Sequence, residues 1–355
     1  MNSRRMPANV CLSIQFEHWI DRPFSGTIMT QNQTSAATPL GIKPGAQSSG
    51  VIFSLPRLRR LVAQLRFGLL PRKANGMYSA VPDAAMKRVY IQDDWPKSWK
   101  YSYTYDLEEI YGEYTNRGYA YAYDHRRKQI LRLFTERLAP DARILDIAAA
   151  QGNFSIALAE MGYNVTWNDL REDLADYVRL KRERGKIDFA PGNAFELKFP
   201  APFDAVLIAE IIEHVAHPDE FLRKAAQLVK PGGYIVMTTP NGAYFRNPLP
   251  KFSDCPDPSI YEAVQFKPNG DGHIFLIHPD EIKPLAAQAG LEVEEIALFN
   301  NPLTNGFMKM EHVLRLMPQG VVNRLEFASQ HLPAPARRNF MVHMAVRFRK
   351  PVKSV

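Results

Sequence analysis

The chain has 355 residues, with 44 Lys+Arg against 37 Asp+Glu and 46% hydrophobic residues. That length suits one large domain or about two ordinary ones, and 23% charged residues exclude both a coiled coil and a disordered chain. No apolar run reaches the roughly 18 residues of a membrane-spanning helix, and two cysteines, Cys11 and Cys255, make neither a disulfide scaffold nor a metal site. The expectation is a reduced, cytoplasmic protein.

Residues 1–50 are rich in Ser, Thr, Gln, Asn, Gly and Pro without any period, which predicts disorder. Asn9, Ser13 and Gln15 interrupt the short apolar stretch at 10–14, so no secretory signal is expected. The charge is uneven. Residues 1–100 hold 14 Lys and Arg against 5 Asp and Glu, and residues 101–355 hold 30 against 32. The excess sits in an N-terminal extension rather than on the part that reads as a folded domain, which opposes a nucleic-acid footprint.

After Pro56, Leu58, Leu61, Val62, Leu65 and Leu69 share one helical face, while Arg57, Arg59, Arg60, Gln64 and Arg66 lie off it. This is a basic amphipathic helix. Residues 57–70 could make weak contact with an anionic membrane at the inner surface, or the leucine stripe could dock on the chain's own domain. Residues 95–123 carry Trp95, Trp99, Tyr101, Tyr103, Tyr105, Tyr111, Tyr114, Tyr119, Tyr121 and Tyr123. Such a segment lines a pocket or buries its rings as a docking lid. A helix follows over 126–138.

From residue 143 strands and helices alternate. Apolar runs predict strands over 144–148, 165–168, 187–190, 203–209, 234–239, 291–299 and 340–348. Helices are expected over 154–161, 174–184, 218–229 (stopped by Lys230-Pro231-Gly232-Gly233) and 279–289. The alternation predicts an α/β fold, a Rossmann-like, mostly parallel seven-stranded sheet with helices on both faces. Residues 126–350 form this domain, and the long insertion at 240–278 reads as a lid over the acceptor. Residues 51–125 hold the amphipathic helix and the aromatic segment.

Ligands of such a sheet sit beyond the carboxyl ends of the strands. The first of these loops is built of small residues, which let a ligand approach the backbone and the following helix N-terminus. Asp169 lies 23 residues past Asp146, at the tip of the second strand. A carboxylate there accepts hydrogen bonds from both hydroxyls of a ribose; the bland alternative is an N-cap of the next helix.

Several stretches together resemble a class I S-adenosylmethionine-dependent methyltransferase. They are Ile144-Leu145-Asp146-Ile147-Ala148-Ala149-Ala150-Gln151-Gly152-Asn153, Val165-Thr166-Trp167-Asn168-Asp169, Phe203-Asp204-Ala205-Val206, Glu213-His214-Val215 and Val229-Lys230-Pro231-Gly232-Gly233. The resemblance is to the type 23 methyltransferase domain and to ubiquinone-type O-methyltransferases. It implies S-adenosyl-L-methionine as cofactor and a cofactor site drawn from Asp146, Ala148, Gly152, Asp169, Asn193, Ala194 and Glu210. Alanines Ala148 and Ala150 stand at two usual glycine positions, and a methyl at each narrows the loop by little if those positions keep negative φ. Asn193 stands where an acid is common, and its amide oxygen can still accept from the adenine amino group.

Glu210, Glu213 and His214 are spaced so that a helix start would bring them to one side. They read as a metal site, as an acid–base cluster, or as a partly solvated helix start. Glu-x-x-Glu-His resembles both the ubiquinone-type enzymes and the small-RNA 3′-terminal 2′-O-methyltransferases, and His273 falls where the RNA group adds a histidine. The resemblance implies Mg²⁺ or Mn²⁺ held by Glu210, Glu213, His214 and His273. Without a metal, His214 with Glu213 would act as the general base on a hydroxyl. The expected activity is O-methylation of a small-molecule, sugar or lipid-like acceptor. Two alternatives stand beside it: 2′-O-methylation of an RNA end, and a non-catalytic relative with Ala148 and Ala150 as the symptom.

Overall fold

Alternation inside apolar strands divides the core into two layers. Leu145, Ile147, Val206, Ile208, Ile235 and Met237 belong to one layer, and their neighbours Ile144, Ala205, Leu207 and Val236 belong to the other. Successive strand residues point to opposite faces, so a strand apolar at every position is buried on both sides. Each such side chain contributes roughly 1.5–3 kcal/mol by leaving water.

The structure is a computed structural model and describes residues 86–113, 116–265, 272–305 and 310–352. The expectations of disorder over 1–50 and of an amphipathic helix at 57–70 lie outside the described residues. In chain order the elements are α1 (Lys97–Glu109), α2 (Arg117–Thr135), β1 (Arg143–Ile147), α3 (Asn153–Glu160), β2 (Asn164–Trp167), α4 (Leu174–Lys181), β3 (Lys186–Phe189), β4 (Phe203–Ala209), α5 (Pro218–Leu228), β5 (Val229–Pro240), α6 (Ile282–Gln288), β6 (Glu292–Phe299), α7 (Glu311–Leu316), α8 (Gln319–Gln330), α9 (Ala334–Phe340) and β7 (His343–Arg349). Short 3₁₀ turns stand at Ile212–His214, Phe252–Asp254 and Pro258–Val264.

The sheet runs β3-β2-β1-β4-β5-β7-β6. The first five strands are parallel, and β7 lies antiparallel between β5 and β6. Residues of α5 and α6 pack in the first core layer, and residues of α2, α3 and α4 in the second. The Rossmann-like sheet with helices on both faces is therefore present. Among the described residues no helix is long and apolar enough to cross a membrane.

Several elements depart from expectation. The helix expected from residue 126 begins at Arg117, where the Asn116 side chain accepts from the Tyr119 amide as an N-cap. The Lys230-Pro231-Gly232-Gly233 run stops α5 but does not end in a loop. It bulges inside β5, between the pairs Phe203–Val229 and Ala205–Tyr234. The structure also has helices that were not expected: α1, within the aromatic segment, and α7, α8 and α9 between β6 and β7.

The aromatic segment divides its rings between the two uses. Trp95 packs edge-on against Trp99, Tyr103 and Tyr177 at 5.7–5.8 Å and docks the segment. Beneath them Asp106, fully buried, accepts from Tyr177 Oη at 2.7 Å, Lys181 Nζ at 2.7 Å and Asn153 Nδ2 at 2.8 Å. This latch holds α1 on α3 and α4. Tyr101, Tyr105 and Tyr119 instead line a cavity.

Candidate functional site

The strand order reverses at β1, which pairs in parallel with β2 on one side and β4 on the other. The carboxyl ends of these strands carry the loops singled out above. The first loop is drawn tight. Ala149 N donates to Asn168 O at 2.8 Å, Gly152 N to Ala149 O at 2.8 Å, and Trp167 Nε1 to Ala150 O at 3.0 Å. Gly152, at φ 71°, opens α3, and a Cβ there would come within 2.6 Å of the Val178 side chain. Only glycine suits both the conformation and the space.

Ala148 and Ala150 have φ 51° and 50°. The condition of negative φ is not met. The backbone keeps the left-handed turns that glycine would adopt freely, and each alanine carries them at a cost of roughly 1–2 kcal/mol. The surrounding bonds to Asn168, Asp169 and Trp167 hold the conformation.

Asp146 is buried and accepts from Ser155 Oγ at 2.6 Å. Burial pushes its carboxyl up to about 7. Asp169 caps the far side of the same loop, accepting from Ala150 N at 2.8 Å. Its remaining acceptor positions are taken by Arg171, through the backbone N at 2.9 Å, Nε at 2.9 Å and Nη2 at 3.1 Å. The carboxylate that would hold ribose hydroxyls thus grips its own neighbour's guanidinium. Asn168 Nδ2 ties the β2 loop to the β3 loop by bonding Ala190 O at 2.7 Å and Gly192 O at 2.8 Å. Asn193 Oδ1 already accepts from Phe195 N at 3.1 Å, which leaves one lone pair for a further donor. Ala194 beside it is buried.

A cavity of about 230 Å³ opens against this loop, lined by Tyr101, Tyr105, Glu109, Tyr119, Ala150 and Arg171 among others. It is smaller than the roughly 300–1,000 Å³ of small-molecule sites, and Arg171 forms part of its wall.

At the end of β4, Glu213 is fully buried in the 3₁₀ turn. Its Oε2 accepts from Thr239 Oγ1 at 3.0 Å, and its Oε1 accepts no hydrogen bond. Burial, and then the neighbouring Glu210, push its carboxyl well above the usual range. The lid returns here because Ile274 N donates to Glu213 O at 2.7 Å. That bond brings His273 Nε2 to 4.0 Å from Glu213 Oε1, and the His273 ring packs edge-on against His214 at 4.7 Å. Donor atoms of Glu213, His214 and His273 all lie within 4.8 Å of one another.

Glu210 is the predicted ligand that does not join them. It sits at φ 55°, and its Oε2 lies 3.1 Å from Arg126 Nη2 and 3.8 Å from His343 Nε2. Burial works against its charge, yet Arg126 and then His343 hold its carboxyl below the usual range. Burial likewise brings the His343 imidazole down to about 4. The physical reason for the departure is the guanidinium: α2 delivers a half-buried cation that pairs with this carboxylate.

Sequence reasoning passed over Glu109, Arg126, Arg171 and His343. Arg171 had a local signal, two positions after a loop aspartate. Arg126 and His343 reach the site from α2 and β7, and nothing in their neighbourhood marks them.

A family model described as a methyltransferase domain matches residues 119–296. A ubiquinone biosynthesis O-methyltransferase of Dechloromonas aromatica (strain RCB) is 34% identical over 171 residues, covering 46% of this chain and 71% of that protein. One from Pseudomonas aeruginosa (strain UCBPP-PA14) is 34% identical over 175 residues with the same coverage. Among solved structures, an N-methyltransferase of Bradyrhizobium japonicum WM9 in complex with S-adenosyl-L-homocysteine aligns at 14% identity and a TM-score of 0.42, covering 72% of this chain and 98% of that one. The chain belongs to the class I S-adenosylmethionine-dependent methyltransferases.

Proposed function

We propose that the protein O-methylates a hydroxyl of a small-molecule, sugar or lipid-like acceptor bound beside Glu213, His214 and His273. The observation that carries the reading is the convergence of these three side chains at the carboxyl end of β4, on a lid residue 59 positions beyond His214 in the chain. In this reading Asp146, Ala148, Gly152, Asp169, Asn193 and Ala194 form the cofactor site, with Glu210 at its edge. The ubiquinone O-methyltransferase relatives support a hydroxyl acceptor.

Methyl transfer from a sulfonium needs the nucleophile in line with the leaving sulfur, so alignment supplies much of the rate. The proton on the hydroxyl must also leave. A divalent ion fits the donors present: Glu213 Oε1 is buried without a hydrogen bond, and two imidazoles stand beside it. When bound, such an ion would lower the hydroxyl pKa and fix its position. One carboxylate and two imidazoles suit Mn²⁺ or a softer ion better than Mg²⁺, which prefers oxygen ligands. In the absence of an ion, His214 is the base.

An RNA 3′ end is the second reading, and the arrival of His273 is what favours it. Assays with a catechol-type phenol and with an RNA 3′-terminal 2′-hydroxyl separate the two. Chelation should abolish turnover and leave S-adenosylhomocysteine affinity unchanged; full activity in excess chelator would remove the metal and keep His214. Membrane contact through residues 57–70 rests on the sequence. Absence of liposome co-sedimentation by the full chain would end it.

A further inference from the structure

The cavity beside the first loop has a composition of its own. Tyr101, Tyr105 and Tyr119 line it, with Tyr101 and Tyr105 in edge contact at 5.3 Å and their hydroxyls 3.0 Å apart. Ala150 and Gln151 of the loop, Arg171, and Glu109 at the end of α1 line it too.

Three neutral donors hold the Glu109 carboxyl in place. Tyr119 Oη reaches Oε1 at 2.5 Å, and Gln151 Nε2 and Asn153 Nδ2 reach Oε2 at 3.0 and 2.8 Å. The last two come from the loop and from the first residue of α3, so the carboxyl is fixed to the cofactor loop itself. Among the described residues no Lys, Arg or His nitrogen pairs with it. The nearby Lys181 is committed to Asp106 at 2.7 Å, and Arg126 to Glu210 at 3.1 Å. Burial pushes the Glu109 carboxyl above its ordinary range. A half-buried carboxyl without a cation is disfavoured in its ionised form, and aromatic faces beside it attract a positive charge.

We infer that Glu109 receives the ammonium group of the cofactor's methionine arm, with Tyr101, Tyr105 and Tyr119 forming the aromatic wall around that cation. The inference rests on the proposed seating of the methionine arm along the Ala148–Gly152 loop. It adds a residue from the N-terminal helix, outside the motifs that carry the family resemblance. The cofactor completes an ion pair that the chain leaves open, and α1 becomes part of the binding site rather than a cover over it.

The test uses the full chain and two probes. One is S-adenosylhomocysteine, which keeps the ammonium; the other is its deaminated analogue, which keeps the carboxylate and the nucleoside. In titration calorimetry Glu109→Gln should weaken S-adenosylhomocysteine about tenfold or more, the size of one charge-assisted hydrogen bond. The deaminated analogue should bind wild type and variant within about twofold, which also shows that the variant's site is intact. Equal loss for both probes, or no loss for either, would overturn the assignment. Asp169→Ala serves as the control on the underlying reading, since it should weaken both probes alike. Undiminished binding by that variant would remove the nucleoside placement, and the assignment of Glu109 with it.

Discussion

Replacing Arg171 with alanine should make the protein bind its cofactor more tightly. The Asp169 carboxylate accepts four hydrogen bonds, two from backbone amides at 2.8 and 2.9 Å and two from the Arg171 guanidinium at 2.9 and 3.1 Å. A carboxylate has about four acceptor positions, so two ribose hydroxyls can enter only where the guanidinium leaves. The backbone bonds survive the substitution. The exchange replaces two charge-assisted bonds by two others, and its net cost is the worth of the Arg171–Asp169 pair. With Arg171 26% exposed and Asp169 5%, that worth is about 1 kcal/mol, the upper end for exposed pairs. Arg171→Ala should therefore lower the Kd for S-adenosylhomocysteine about fivefold.

Asp169→Ala should move the other way, raising the Kd at least about tenfold through the lost ribose bonds. Salt offers an independent check. Screening weakens the guanidinium pair, so the gap between wild type and Arg171→Ala should narrow as ionic strength rises. Titration calorimetry reads all three. Unchanged or weaker binding by Arg171→Ala would show that the guanidinium supports the cofactor rather than competing with it, and would refute the exchange.

Other consequences follow from the same architecture. Ala148→Gly and Ala150→Gly should each stabilise the fold by about 0.5–1 kcal/mol, because relief of a left-handed alanine outweighs the extra freedom of glycine when unfolded; a lower melting temperature in both would contradict the strain. Asp146, raised by burial to about 7, favours folding most below about pH 4, the range of an unfolded aspartate, and loses that contribution as pH rises through 7. Asp146→Asn should flatten the fall in stability between about pH 4 and 7, measured by denaturant unfolding, and an unaltered profile would reassign it. Asp106→Asn leaves Lys181 buried at 0% exposure without its counter-charge. It should cost about 3–5 kcal/mol, and a cost under about 1 kcal/mol in denaturant titration would mean that α1 is held by its aromatic rings alone.

The parallel strands were legible because apolar runs such as Ile144-Leu145 and Ala205-Val206-Leu207-Ile208 admit few other arrangements, and the alternation with helices prescribes the sheet. The C-terminal part was less so. Lys230-Pro231-Gly232-Gly233 reads as a stop, yet pairing resumes at Tyr234 after a bulge, and β5 absorbs the turn. For the site, the sequence carries the identity of ligands but not their competition. His273 was grouped with Glu213 through the resemblance to the small-RNA 2′-O-methyltransferases, and one backbone bond from Ile274 secures it. Glu210 could not be removed from the group on any local ground, since its partner Arg126 lies 84 residues upstream and is delivered by the packing of α2. The sign of φ at Ala148 and Ala150 was hidden for a related reason. Alanine by itself favours negative φ, and only the bonds that close the loop onto Asn168, Asp169 and Trp167 reverse that preference. In each case the missing information was a contact from elsewhere in the fold that overrides a local rule, and each of those contacts meets a loop at the carboxyl ends of the strands, where cofactor and acceptor are expected to meet.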